Sequence, residues 1–176
     1  IDHNKFYLSG TMVNNGQIDL DCGSDLKSFD EDKLLKEIDN ANYYDFQGST
    51  WAPHLIHKET WDKVGGFSEE FFPGTGSDPD LNMKLWKEGV RIFKGVSSSR
   101  VYHFGSITTR KNKKIIPNKG KKTFLLKWKI TVEFFTKHYL KRGSIFDGPL
   151  NTPNKNFSYY RDLFIVQFKY FLAKFI

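Results

Sequence analysis

The apolar run at residues 6–13 (FYLSGTMV) predicts a buried strand, closed by the turn chemistry of Asn14, Asn15 and Gly16. Residues 17–30 are polar and Asp-rich and predict a loop. Leu34, Leu35 and Ile38 recur at helical spacing within residues 31–39, which predicts a short amphipathic helix. Residues 49–56 predict a second strand, with Pro53 pushing part of it to an edge. Residues 58–64 predict a short helix stopped by Gly65 and Gly66. The glycine-rich stretch 73–77 then runs into a helix start: Asp78 as N-cap, Pro79 at the first helical position and Asp80 in the first turn. Leu81, Leu85 and Trp86 give that helix its apolar face and Gly89 ends it. Residues 90–94 and 100–104 predict two short strands, and residues 109–122 a basic loop. Two aromatic-rich helices, near 123–141 and 158–175, finish the chain. Strands alternating with helices imply an α/β layer fold.

A chain of 176 residues, 39% hydrophobic and 16% aromatic, can bury one core, as a single domain or as part of a larger one. No apolar run reaches the roughly 18 residues of a membrane-spanning helix. The polar start, Ile1-Asp2-His3-Asn4, is not a signal peptide. One cysteine, Cys22, excludes an intramolecular disulfide and a multi-cysteine zinc site, so a reducing, cytoplasmic compartment is expected. The chain begins without methionine, which suggests a fragment or processed product.

Charge divides the chain into two expected units. Residues 1–109 hold 11 Lys/Arg and 17 Asp/Glu, a net of −6; residues 110–176 hold 16 and 3, a net of +13. The basic end therefore calls for an anionic partner: nucleic acid, phospholipid, or the acidic half of the same protein. Lysines outnumber arginines 22 to 5, which favours diffuse attraction over the forked contacts of specific phosphate or base recognition.

The densest chemical signal lies between Gly74 and Gly89. A carboxylate at a helix start is expected to be ionised, and on a glycine-rich loop it can take a proton from a hydroxyl nucleophile. The plain alternative is that Asp78 only caps the helix. His103, closing a strand before Gly105-Ser106, stands where an α/β site opens and could bind a divalent metal, although an isolated histidine is more often a structural one. Trp51 and Trp61 could stack on a sugar or a base, or belong to the core; the core is the better reading of Trp61. His54 and His57 fall on opposite faces of a strand and make no metal pair.

Together these segments resemble the C-terminal half of a family 2 inverting glycosyltransferase of the GT-A fold. The resemblance rests on Trp61-Asp62-Lys63-Val64-Gly65-Gly66-Phe67-Ser68-Glu69, on Gly76-Ser77-Asp78-Pro79-Asp80-Leu81 with Lys84 and Gly89, and on Val101-Tyr102-His103-Phe104-Gly105-Ser106. Their order and spacing agree with the family over about residues 5–110. The tail, with Lys127-Trp128-Lys129, Tyr139-Leu140-Lys141-Arg142-Gly143 and Gly148-Pro149-Leu150, resembles the C-terminal helices of some members.

The resemblance implies a partial GT-A fold, with residues 1–109 as the acceptor-side half of the catalytic domain and 110–176 as a basic loop and aromatic-rich helices packing on it. It implies that Asp78 is the general base on the acceptor hydroxyl. It implies that His103 completes a metal site at the donor diphosphate, with Mn²⁺ or Mg²⁺ as cofactor. Gly48, Trp51, Ser77 and Asp80 would line the acceptor or sugar pocket. Ser77 stands where the family has a glutamate. The family's N-terminal nucleotide-binding strands and its metal-binding D-x-D have no counterpart before residue 6. Asp19-Leu20-Asp21 has the letters of that motif but follows the first strand, and reads better as a solvated acidic loop.

The expected function is therefore transfer of a sugar, with inversion, from a nucleotide-sugar donor to a hydroxyl of a glycan or other acceptor. A piece without the nucleotide-binding strands is expected to bind UDP-sugar and Mn²⁺ weakly on its own, and to cover its open sheet edge with its C-terminal helices or with a second copy of the chain. The alternative is a non-catalytic module whose basic, aromatic-rich tail grips nucleic acid. Low arginine and the absence of a nucleic-acid motif count against that. Phe157, Tyr160, Phe164, Phe168, Phe171 and Phe175 form one aromatic face on the last helix. That face fits an anionic membrane surface, packing on the sheet, or a homo-oligomer contact; packing is preferred.

Overall fold

Residues Phe6–Val13 form strand β1, the hub of a mixed four-stranded sheet in the computed structural model. The structure describes residues 4–41, 43–72, 74–105 and 117–175. In chain order the elements after β1 are α1 (Glu31–Glu37), β2 (Phe46–Gln47), β3 (His54–Ile56), α2 (Lys58–Val64), α3 (Ser77–Lys87), β4 (Ile92–Tyr102), α4 (Pro117–Trp128), α5 (Val132–His138) and α6 (Phe157–Ala173). The sheet order is β2-β4-β1-β3. β1 runs parallel to β4 and antiparallel to β3, and β2 lies antiparallel on the far side of β4. The protein is thus a mixed α/β fold.

One face of this sheet is buried. Tyr7 and Phe93, neighbours across the parallel pair, share a core with Leu81, Leu85 and Trp86 of α3. Phe124, Phe135, Leu140 and Leu150 join the same core, so residues on both sides of position 109 pack into one hydrophobic body. On the opposite face Leu8 stands beside Leu55, which is 60% exposed. A second, smaller core (Val13, Ile18, Leu20, Cys22) sits under α1, where Leu34 and Ile38 cover it.

Several boundaries differ from the pattern-based expectation, each for a local reason. The strand expected over 49–56 survives only as β3. Gly48 is left-handed (φ 75°) and Pro53 follows Ala52 through a cis peptide, so the chain cannot stay extended. The two strands expected at 90–94 and 100–104 are one, β4. Pairing with β1 jumps from Gly10↔Val96 to Thr11↔Arg100, and the serines between bulge out, tied down where Asp45 accepts from the Ser97 amide (2.8 Å) and hydroxyl (2.9 Å). A polar bulge looks like a loop in sequence.

The helix expected over 123–141 is two. Lys129 is left-handed (φ 60°), and Thr131 caps α5 by accepting from the Phe134 amide. α4 starts at Pro117, so Lys119, Lys121 and Lys122 are helical rather than part of a loop. The remainder of the expected basic loop, 109–116, lies outside the described residues, as do Pro73 and Ser106.

The sheet edge at β2 is covered, but by the segment after α5 rather than by helices. The Gln47 amide donates to Ser144 O (2.8 Å), the Gly143 amide to Gln47 O (3.1 Å) and the Phe146 amide to Asp45 O (2.9 Å). The aromatic face of the last helix does not pack as preferred. α6 buries Tyr159 and Val166 on Leu125 and Phe134, while Phe157, Tyr160, Phe164, Phe168, Phe171 and Phe175 stand out from the protein. No helix among the described residues is long and apolar enough to cross a membrane.

Candidate functional site

The start of α3 is set by glycine rather than by a side-chain cap. Gly76 occupies the N-cap in a left-handed conformation (φ 89°), Ser77 is the first helical residue and Asp78 the second. A Cβ on Gly76 would come within 3.0 Å of the Gly120 carbonyl and the Phe71 ring, so that position also permits close packing. The expected N-cap role of Asp78 is thereby corrected: its carboxyl is in the first turn, freed from capping. Pro79 still fits, because first-turn amides have no intrahelical acceptor. Ser77, one candidate for substrate contact, donates its hydroxyl to Gly74 O (2.6 Å) and braces the loop.

Asp78 is half-buried, and burial pushes its carboxyl up to about 6. The helix N-terminus favours the ionised form, but desolvation outweighs it, so the expectation of an ordinary ionised carboxylate is corrected as well. Asp78 faces Tyr7. Burial raises the Tyr7 phenol strongly, and the Asp78 charge raises it further. The Tyr7 hydroxyl donates to Trp51 O (3.1 Å). One helical turn beyond Asp78 lies Asn82, wholly buried, with neither amide atom in a hydrogen bond. It is near enough to favour ionisation of the Tyr7 phenol, yet without hydrogen-bond geometry. Unsatisfied buried amides are costly, and their occurrence beside a perturbed carboxyl is a functional signature.

His54 stacks on the other side of Tyr7 (ring centroids 5.4 Å apart), and burial pushes its pKa down, which keeps it neutral. The Ser9 and Ser49 hydroxyls meet on the same face of the sheet. Next to Asp78, Ser77, Gly74, Phe67, Ser68, Glu69, Phe71 and Phe72 line an open groove of about 280 Å³. Its rim is aromatic, with Phe72 81% exposed.

Asp80 is not open to a substrate. It is fully buried, and both of its oxygens are taken. Oδ1 accepts from Trp128 Nε1 (2.7 Å) and from Lys127 Nζ (2.9 Å), and Oδ2 from the Ser68 hydroxyl (2.7 Å). Lys84 reaches the same cluster through Gly66 O and the Ser68 hydroxyl. This network joins the Gly65-Gly66-Phe67-Ser68 turn, α3 and α4. Gly65 is the left-handed end of α2, and a Cβ on Gly66 would strike the Trp61 indole at 2.6 Å. Two of the sequence motifs thus meet in space, and much of their conservation of letters is architectural: Trp61, Gly66, Asp80 and Lys84 hold α2 against α3.

Trp51 is buried. It stacks on Phe46 (5.0 Å) under the Arg142 guanidinium (5.0 Å), and its Nε1 donates to Gly10 O (3.2 Å). Gly48 is buried where a Cβ would come within 2.5 Å of the Leu140 carbonyl. Both are walls behind the Tyr7–Asp78 cluster rather than open pocket surface.

His103 follows β4 directly, and its amide donates to Val13 O (2.8 Å). Its Nδ1 is buried without a partner. Asp78 neighbours Tyr7, six positions earlier on β1, about 20 Å along a strand. No contact among the described residues joins His103 to Asp78. No group of three or more His, Cys, Asp or Glu that could hold a metal occurs among the described residues, so His103 has no companion ligands there. Asp19 and Asp21 are exposed on either side of buried Leu20, and Asp21 accepts from the Gly23 amide (2.9 Å), as in a solvated acidic turn. No protein-family model, no curated protein and no solved structure matches this chain.

Tyr7, His54 and Asn82 were not singled out from sequence. Asn82 had a signal, since it lies at i+4 from Asp78 and must share its helix face. Tyr7 lay inside an apolar run and looked like core alone.

Proposed function

We propose that this chain carries the acceptor side of a nucleotide-sugar-dependent, inverting glycosyltransferase with a GT-A-like fold, and that Asp78 is its general base. One observation carries the reading: a first-turn carboxyl with a pKa near 6, desolvated against Tyr7 and Asn82, beside an open aromatic groove. A base with that pKa is ionised at neutral pH, yet more basic than a free aspartate, which suits removal of a hydroxyl proton. The acceptor would lie along Phe67 and Phe72. As its oxygen bonds to the anomeric carbon, its proton passes to Asp78, the bond from that carbon to the nucleoside diphosphate breaks, and the diphosphate leaves with the electron pair. The residues present do not assemble a metal site, so no step here runs through a metal.

The test uses the protein at its full encoded length, incubated with a panel of nucleotide sugars, hydroxyl acceptors and Mn²⁺ or Mg²⁺. Transfer is read by mass spectrometry. Asp78→Asn is expected to lower kcat/KM by about 10²–10⁴-fold, with donor affinity nearly unchanged. Undiminished transfer by Asp78→Asn would remove the assignment.

A further inference from the structure

The outer face of α6 is more apolar than its inner one. The side packed on α4 and α5 includes Tyr159, Leu163, Val166, Tyr170 and Ala173, together with Asp162, which pairs with Lys137 (2.6 Å) and His138 (2.9 Å). The side facing away carries Phe157 (83% exposed), Phe164 (78%), Phe168 (60%), Phe171 (58%) and, just past the helix end, Phe175 (74%). Tyr160, Ile165 and Leu172 widen the stripe. At about 200 Å² for a whole Phe side chain, these five rings alone expose roughly 700 Å². That exceeds the largest apolar patch on an ordinary monomer, about 300–600 Å².

Charge decides what covers it. Residues 110–176 carry a net charge of +13, and α6 lies within them. Lys169 and Lys174 flank the stripe, and Lys121 and Lys122 of α4 share a surface hollow with Lys169 and Ala173. A second copy of the chain would bring the same positive charge against itself. An anionic lipid surface offers the opposite charge to the lysines and an apolar layer to the rings. A 17-residue helix with aromatic side chains on one side and lysines along its margins has the form of an in-plane interfacial helix, too short and too charged to span.

We propose that α6 docks this protein on an anionic bilayer, the phenylalanine stripe entering the headgroup–acyl boundary and the flanking lysines contacting lipid phosphates. The surface is independent of Asp78, and the proposal stands whether or not the sugar-transfer reading does.

Flotation with phosphatidylcholine vesicles, with and without one-third phosphatidylglycerol, tests it. The stripe is solvent-exposed, so Phe164→Ser/Phe168→Ser/Phe171→Ser should fold normally, checked by circular dichroism. The wild-type protein should float with anionic vesicles at least about tenfold more than with neutral ones, and less at high salt. The triple variant should lose at least about tenfold of that binding. Lys169→Glu/Lys174→Glu should weaken binding to anionic vesicles only. No flotation with anionic vesicles, or flotation indifferent to the triple substitution, would overturn the proposal. Sedimentation showing a dimer that the triple variant dissociates, without vesicle binding, would assign the stripe to a second copy instead.

Discussion

At the scale of single residues, the chain spends stability around Asp78. Its carboxyl is raised from the ordinary 3.8 to about 6 by burial. Between those values the folded protein holds a proton that the unfolded chain has released, so this group makes stability fall as pH rises from about 4 to 6. Asp78→Asn removes the penalty. The variant is expected to be more stable than wild type at pH 7.5 by about 1–2 kcal/mol, with the difference gone below the unfolded value; urea titrations at the two pH values measure it. Asp80, two residues on, behaves in the opposite way. Asp80→Ala leaves Lys127 and the Trp128 indole without their acceptor, and a loss of about 3–5 kcal/mol is expected in the same titration. The sequence made both aspartates conspicuous through their place after a glycine-rich loop. It did not tell them apart, because what separates them is the company they meet: Tyr7 from β1 for one, Lys127 and Trp128 from α4 for the other.

At the scale of elements, the legible features were those specified by neighbouring residues. β1, α2 with its Gly65 stop, α3 and α6 follow their hydrophobic period and end signals closely. The features that escaped depend on distant partners or on a single backbone angle. β4 runs through three serines because Asp45 ties down the bulge at Ser97, and α4 separates from α5 at the left-handed Lys129. Gly95 shows the same dependence. Nothing local demands glycine there, as its φ is not left-handed, but the Phe46 ring of β2 lies where a Cβ would stand, 1.8 Å away. Gly95→Ala must therefore push Phe46 off β4. A loss of about 1–3 kcal/mol is expected by thermal or urea unfolding, and Phe46→Ala in the same chain should make the alanine tolerable.

At the scale of the molecule, the opposite charges of the two parts do not mark separate bodies. Tyr7, Phe93 and Trp86 share one core with Phe124, Phe135, Leu140 and Leu150, and the segment after α5 pairs with the edge of β2. Tryptophan fluorescence and far-ultraviolet circular dichroism should therefore report one coincident unfolding transition. Leu150→Ala should lower its midpoint, at a cost of about 2–5 kcal/mol. Two separated transitions would contradict a shared core. The same joining makes the Asp78 site rigid: α4 clamps α3 through Asp80, while Trp51 and Tyr7 close it from the sheet side. The account as a whole stands on that desolvated carboxyl. Carbon-13 NMR of the folded protein, labelled at aspartate and assigned by comparison with Asp78→Asn, follows its titration directly. The account predicts a midpoint near 6; a midpoint at or below about 4, the range of an exposed or merely helix-capping aspartate, would contradict it.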